Sequence, residues 1–215
     1  MYEKGEKDRY AEKMLDLIEN AGDRVIFRPE RLRNRDQEFE RVLRLYPDMR
    51  VEMDEAGNIS LMAPGSLESS LGSSEVFVQL ANWAKRHGLG KAYDSSAIFN
   101  LPASSKMSPD ASWVPKSVLA QFGKAALSTV TGVVIAPTFV IEVRSPSDRL
   151  LKDQLKKCQR WIKAGVEEAW LVDPLKRNVH IFQQGREVEV LENPRKVKSR
   201  VLNGFTLDCK AVWED

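Results

Sequence analysis

The stretch that decides the fold is Phe139-Val140-Ile141-Glu142-Val143-Arg144, which runs directly into Ser145-Pro146-Ser147-Asp148. Its apolar residues predict a strand, and period-two alternation places Glu142 and Arg144 on the same face. A carboxylate among apolar neighbours is costly to bury unless a cation, a metal or several hydrogen-bond donors neutralise it. Glu142 is therefore predicted to belong either to a structural ion pair, with Arg144 as partner, or to a functional site.

The segments around this strand predict a chain of mixed α and β structure. Alternating segments at 51–54 and 59–62 flank a turn that contains Gly57, which predicts a hairpin. Gly88 and Gly165 are typical residues just beyond helix ends. Strands are also predicted at 91–93, 96–101, 111–114, 168–172, 179–182, 188–190 and 199–202, and helices at 8–20, 28–44, 68–87 and 148–164.

Length and charge limit the kinds of protein this chain can be. Its 215 residues are consistent with one domain, in which a helical segment at 1–45 packs on a core formed by 46–215. Lys and Arg total 33 against 31 Asp and Glu, so a polybasic module that wraps nucleic acid is not expected. The basic run at 195–200 is predicted as a solvated loop and strand edge, with phosphate contact as the alternative.

The cysteines and the apolar runs indicate in which cellular compartment the protein is expected. Cys158 and Cys209 stand far apart without a CxxC pair, so neither a zinc knuckle nor a disulfide framework is indicated. No signal peptide is seen, and no apolar run approaches the ~18 residues of a membrane span. We expect a soluble, cytoplasmic protein with no membrane partner.

The helix predicted after Glu142 brings a lysine toward it. At ~100° per residue, Leu151, Leu155, Cys158 and Ile162 form one apolar stripe, and Lys157 borders it. Lys157 is placed where its ammonium can reach the face of the sheet that carries Glu142. The alternative is a boundary lysine whose stem packs while its charge stays in water.

Asp110 completes a set of residues that suits phosphodiester chemistry. It follows Ser108-Pro109 at the mouth of a predicted strand, although Ser-Pro-Asp is also an ordinary turn. Two carboxylates and a lysine are what metal-assisted phosphodiester hydrolysis needs. Hard divalent cations prefer carboxylate oxygen, and an ammonium stabilises developing charge.

At these residues the chain resembles the PD-(D/E)XK nuclease superfamily and, within it, the restriction-endonuclease-like Uma-two family of bacterial proteins. The resemblance extends from about Met49 to about Phe182. It rests on Val51-Glu52-Met53-Asp54, Met62-Ala63-Pro64, Ser108-Pro109-Asp110, Val140-Ile141-Glu142-Val143-Arg144-Ser145-Pro146-Ser147-Asp148, Lys157 with Trp161, and the run from Ala164 to Pro174.

The resemblance implies an α/β (α+β) fold with a restriction endonuclease-like core, a central mixed β-sheet flanked by helices. It implies that Asp110 and Glu142 bind Mg²⁺ or Mn²⁺ with the Val143 backbone carbonyl, and that Glu52 completes the site. Lys157 takes the part of the lysine usually found two residues after the glutamate. Arg144 stands at that position here, where it can hold substrate phosphate but is a poor proton acceptor.

The function implied is a metal-dependent endonuclease that hydrolyses DNA phosphodiester bonds. Nucleases that cut both strands commonly act as symmetric dimers, so a homodimer is the expected oligomer. The alternative is a catalytically inactive nuclease-fold module that binds nucleic acid or a protein partner, with Glu142 and Arg144 as a static pair. Ser69 departs from the family pattern, because many relatives carry a histidine near this position.

Overall fold

The computed structural model describes residues 24–28, 34–65, 67–145 and 151–213. Its strands are β1 (Arg24–Phe27), β2 (Arg50–Met53), β3 (Ile59–Met62), β4 (Gly90–Asp94), β5 (Phe99–Asn100), β6 (Lys106–Met107), β7 (Ala111–Pro115), β8 (Phe139–Val143), β9 (Glu168–Asp173), β10 (Asn178–Gln183), β11 (Glu189–Glu192), β12 (Lys196–Lys198) and β13 (Thr206–Asp208). Its α-helices are α1 (Arg35–Leu45), α2 (Leu67–His87), α3 (Lys116–Leu119), α4 (Lys124–Leu127), α5 (Leu151–Lys163) and α6 (Lys210–Trp213).

The chain divides into two compact units. The first comprises Met1–Pro64 with Ala103–Met107, and the second comprises Gly65–Pro102 with Ser108–Asp215. The expected arrangement, a helical segment at 1–45 on a core at 46–215, stays a prediction. The helix predicted at 8–20 lies outside the described residues.

The first unit is built on antiparallel strands in the order β1-β3-β2-β6. The predicted hairpin is confirmed, with Val51 opposite Leu61 and Glu52 opposite Ser60. Its turn closes because the Asp54 carboxylate accepts hydrogen bonds from Asn58, at 2.8 Å from the backbone N–H. The strand β1 was not predicted.

The helix α1 follows Asn34, whose side chain caps it by accepting a 3.2 Å hydrogen bond from the Gln37 N–H. Its end at Leu45 lies one residue beyond the predicted end at Arg44. The helix is predicted to start at Arg28, but in the structure Arg28 is not helical and α1 begins at Arg35; residues 29–33 are outside the described ranges.

The second unit is built on a mixed sheet with strand order β11-β10-β9-β8-β7-β4. The strands β8 and β9 are parallel, whereas β7 pairs antiparallel with both β8 and β4. The helix α2 covers one face with Val76, Leu80 and Trp83, which pack with Phe139 and Ile141. The helix α5 buries Cys158 and Trp161 and lies on the face that carries Glu142. The predicted mixed sheet flanked by helices is confirmed.

Glycines set the ends and the packing of α2. The helix ends at His87, as predicted, because Gly88 takes a left-handed φ of +66° that other residues adopt only at a cost. Near its other end, a Cβ at Gly72 would lie 3.2 Å from Cγ1 of Val143. The missing side chain at Gly72 therefore lets α2 approach the end of β8 closely.

The strand predicted at 199–202 is wrong. These residues form a bend between β12 and β13, because the Ser199 hydroxyl accepts hydrogen bonds from the N–H groups of Val201 and Leu202, at 3.2 and 2.9 Å. A serine that binds the backbone N–H groups ahead of it favours a turn over a ladder. In the part of the chain that the structure describes, no helix has the length and apolar character needed to cross a membrane.

Candidate functional site

The sheet places Asp110 opposite Glu142. Ala111 pairs with Ile141 in the antiparallel ladder, so the residue before Ala111 faces the residue after Ile141. Directly opposed side chains on one face have Cβ atoms about 5 Å apart. The Asp110 carboxylate is also fixed by a 2.7 Å hydrogen bond that the Val143 N–H donates to its Oδ2 atom. The two acids predicted from sequence thus meet at one edge of the sheet.

Glu142 is nearly fully buried, with 2 % of its surface exposed, and its charge is compensated from α5. The Trp161 indole N–H donates a 2.6 Å hydrogen bond to Oε1. The Lys157 ammonium lies 3.0 Å from Oε1 and 3.1 Å from Oε2. The cation and hydrogen-bond donor that a buried carboxylate requires are therefore both present.

Lys157 joins three parts of the second unit. Besides contacting Glu142 in β8, its ammonium donates a 2.9 Å hydrogen bond to the Ser108 carbonyl, two residues before Asp110. Lys157 and Trp161 are one turn apart on α5, so both reach the same carboxylate. The predicted position of Lys157 at the border of the apolar stripe agrees with these contacts, and Lys152, Lys156 and Lys163 are exposed, as predicted.

The charged residues of this cluster influence the pKa of the Cys158 thiol. Its pKa is raised well above the ordinary thiol value, mainly by burial and then by the Glu142 and Asp110 carboxylates, while Lys157 lowers it. The thiol therefore lies in the same electrostatic neighbourhood as all three charged residues. Its burial keeps it protonated at neutral pH.

Arg144 has Asp173 as its ion-pair partner, and so the alternative in which it pairs with Glu142 is wrong. Its Nη1 atom donates a 2.8 Å hydrogen bond to Asp173 Oδ2, and Asp173 is fully buried. The parallel register of Val143 with Val172 places these two residues side by side at the strand ends. Asp173 also accepts the Lys176 N–H through Oδ1. Arg144 is thereby held at the sheet edge that carries Asp110 and Glu142.

Glu52 belongs to the first unit, where it is buried in β2. Its Oε1 atom lies 3.6 Å from Nη2 of Arg50. Its predicted part in a metal site stays a prediction, as does that of the Val143 carbonyl. Among residues 24–28, 34–65, 67–145 and 151–213, no group of three or more His, Cys, Asp or Glu side chains is arranged to hold a metal ion.

The donor set suits a hard divalent cation. Asp110 and Glu142 present carboxylate oxygens from adjacent strands, and oxygen is the ligand that Mg²⁺ and Mn²⁺ prefer. Mg²⁺ is commonly held by one or two carboxylates, with water and substrate phosphate completing its coordination. Two facing acids therefore fit this class of ion.

Three contributors to the site were not assigned their roles from sequence. From the sequence, Trp161 and Asp173 stand only within the segments that carry the family resemblance, and the Ser108 carbonyl has no assigned role. A tryptophan one turn after a site lysine is the signal that could have identified the indole donor. The partner of Arg144 carries no comparable signal, because its pairing depends on the order of strands in the sheet.

A mixed sheet with two facing carboxylates and a helix lysine at one edge defines a restriction endonuclease-like class of protein. The model of the Uma2 family, described as "Putative restriction endonuclease", matches residues 36–210. The chain belongs to this family, which is the Uma-two family of the sequence resemblance.

A solved structure shares this fold. It is described as "a putative nuclease belonging to DUF820 from Anabaena variabilis ATCC 29413"; it is 21% identical, with a TM-score of 0.63 over 76% of this chain and 89% of that one. A cryoEM structure of a DrdV-DNA complex has a TM-score of 0.36 and 18% identity; the match covers 55% of this chain and 9% of that one. No curated protein matches this chain significantly.

Proposed function

We propose that this protein is a metal-dependent endonuclease that hydrolyses phosphodiester bonds of DNA. The observation that carries the proposal is the cluster of Asp110, Glu142 and Lys157. Asp110 directly precedes β7, lies opposite Glu142 of β8 and accepts a hydrogen bond from the Val143 N–H, and Lys157 on α5 donates a hydrogen bond to Glu142. Membership of a family described as restriction endonucleases supports the same reaction class.

Asp110 and Glu142 would hold Mg²⁺ or Mn²⁺, with the Val143 carbonyl as a further predicted ligand. The ion, when bound, supplies Lewis-acid polarisation of the phosphoryl group and favours ionisation of a water molecule. The protein's own contribution is to preorganise the two carboxylates. The Val143 N–H orients Asp110, and Trp161 orients Glu142.

Lys157 and Arg144 provide positive charge for the phosphodiester. The Lys157 ammonium is held between Glu142 and the Ser108 carbonyl, where its donors can stabilise charge that develops on phosphate oxygens. Arg144 offers a planar guanidinium fork that matches phosphate. Asp173 keeps that fork at the edge of the sheet.

The test is cleavage of supercoiled plasmid DNA by the purified chain with Mg²⁺ or Mn²⁺. Wild type should nick or linearise the plasmid, whereas Asp110→Asn and Glu142→Gln should each lower the rate at least a hundredfold. Asp153→Asn, which changes an exposed acid on α5, is the matched control and should cut normally. Cleavage that persists in both site variants, or equally in EDTA, would contradict the proposal.

A catalytically inactive nuclease-fold module is the second candidate. The observation that favours it is Arg144 at the position where the superfamily usually has a lysine. In that case wild type would bind DNA equally well with and without EDTA, would not cut, and would not bind Mn²⁺.

Two copies related by a twofold axis would present one site to each strand of a duplex, and we therefore expect a homodimer on DNA. Light scattering of the protein alone and on an uncleaved duplex measures this directly. A single copy on DNA that still cuts both strands would contradict the expected dimer.

A further inference from the structure

A basic cleft lies in the second unit, apart from the cluster of acids. It encloses about 830 Å³, and its lining includes the basic side chains of Arg177, Arg195, Lys196 and Lys210, with Asp208 as an acidic member. The remaining lining residues are Asn193, Pro194 and Trp213. We propose that this cleft binds backbone phosphates of DNA and forms a second contact for the substrate of the proposed nuclease. This inference rests on the proposed function.

The cleft and the candidate site share one edge of the sheet. The parallel strands β8 and β9 end at Val143 and Asp173 on this edge, and Arg177 lies in the turn that follows β9. Because Asn178 pairs with Glu192, the end of β11 and Asn193 are at the same edge. Neighbouring strands are ~4.8 Å apart, so the cleft begins about 10 to 15 Å along the edge from β8.

Arg144 lies between the two sites along this edge. Arg144 directly follows β8 and pairs with Asp173 at the end of β9. This ion pair therefore lies between Glu142 and the β9–β10 turn. The acids face α5, whereas α6 and the cleft are on the side of the sheet covered by α2, where Val212 joins the core. A phosphate backbone that crosses the edge of the sheet would therefore meet the cleft, then Arg144, then the two acids.

Three of the four cleft cations are available to contact a ligand. Arg177, Arg195 and Lys196 are exposed, and within the described part of the chain none of them belongs to an ion pair. Arg200, outside the cleft, is instead paired with Glu189. With a formal net charge of only +2, the protein has to attract a polyanion through a local cluster such as this one.

Arg177 occupies a backbone position that favours another residue type. Its φ is +51°, in the left-handed region, and its carbonyl accepts a 2.7 Å hydrogen bond from the Asn193 N–H. Glycine and asparagine adopt this conformation at lower cost than arginine does. Arg177→Asn should therefore keep the turn without loss of thermal stability while it removes one of the cleft cations.

The experiment measures binding of a fluorescently labelled DNA duplex by anisotropy in EDTA, so that no cleavage is needed. The double variant Arg195→Glu/Lys210→Glu should bind at least roughly tenfold more weakly, and its slope of log K against log salt should decrease by about two. Arg177→Asn should weaken binding severalfold, with a melting temperature equal to or above that of wild type. Lys91→Glu/Lys116→Glu, two exposed lysines at the opposite edge of the sheet, is the matched control.

Three results would overturn the inference: unchanged DNA affinity in the cleft variants, equal loss in the control, or displacement of DNA by an equimolar free deoxynucleotide. The last would identify the cleft as a nucleotide pocket. A wild type that fails to cut with Mg²⁺ or Mn²⁺ would refute the proposed nuclease, whereas cleft-dependent binding in EDTA would still support the cleft.

Discussion

The ammonium of Lys157 lies 3.0 Å from Oε1 and 3.1 Å from Oε2 of Glu142, so one helix side chain contacts both oxygens of a buried carboxylate. This cation neutralises the site, and it also competes with any metal ion for the same oxygens. Lys157 therefore stabilises the buried Glu142 carboxylate and at the same time weakens its affinity for a metal ion.

Lys157→Met should separate these effects. Removing the ammonium removes its repulsion of a divalent cation, so Mn²⁺ affinity should rise by roughly tenfold, about 1.4 kcal/mol. DNA cleavage should fall at least tenfold, because the same ammonium would stabilise charge on phosphate. Calorimetric titration with Mn²⁺ and plasmid cleavage measure the two effects. Lys156→Met, at the exposed neighbouring position, should change neither quantity, and weaker Mn²⁺ binding by Lys157→Met would count against competition.

Trp161→Phe should destabilise the protein through the hydrogen bond to Glu142. The indole donates at 2.6 Å to a charged oxygen, and hydrogen bonds to charged groups contribute about 2 kcal/mol. Trp113→Phe is the control, because Trp113 is also buried and, in the described part of the chain, its Nε1 atom has no hydrogen-bond partner. Urea unfolding should show the larger loss for Trp161→Phe, and equal losses would mean that only packing matters.

Asp173→Asn should impair both folding and DNA binding. The change leaves the Arg144 guanidinium, whose side chain is 14% exposed, without its counter-charge. Breaking a buried pair in this way costs about 3 kcal/mol. Arg144 would also lose its fixed position, so DNA affinity in EDTA should fall while Mn²⁺ affinity is retained. Glu167→Gln, at an exposed site before β9, serves as the comparison, and unchanged DNA affinity in folded Asp173→Asn would argue against Arg144 as a phosphate contact.

The two cysteines should make stability decrease in alkali. Burial raises the pKa of Cys209 from 9.0 to about 12, and burial also raises that of Cys158. Because the folded state holds the thiol protons more tightly than the unfolded state does, the thiols add to the free energy of unfolding. This contribution is complete below about pH 9 and is lost as pH rises toward the folded-state pKa. The loss is about 1.4 kcal/mol per pH unit for each thiol. Urea unfolding between about pH 8 and about pH 11 spans this window. The free energy of unfolding should fall less steeply with pH in Cys209→Ala than in wild type. Identical slopes would contradict the assignment of this pH dependence to Cys209.

The sequence was sufficient where local chemistry decides the structure. The bounds of α2 followed from apolar spacing and Gly88, and the hairpin of β2 and β3 followed from alternation around a turn. The position of Lys157 near Glu142 followed from the helical wheel, because both the strand period and the helix period are fixed by geometry.

Other features depend on contacts between distant segments. The Arg144–Asp173 pair requires β9 to lie parallel to β8, which no local pattern in either strand specifies. The basic cleft likewise forms only when Arg177 and Lys210 meet in the fold. Ser199 misled the prediction at 199–202, because its hydroxyl binds the backbone ahead of it in a segment of otherwise strand-like composition.

Anomalous diffraction from a crystal soaked in MnCl₂ shows directly whether Asp110 and Glu142 hold a hard cation. We expect a manganese peak bound by carboxylate oxygens of both residues, and no peak there in Glu142→Gln. Manganese bound elsewhere, with both carboxylates unliganded in a wild type that cuts DNA, would contradict this expectation.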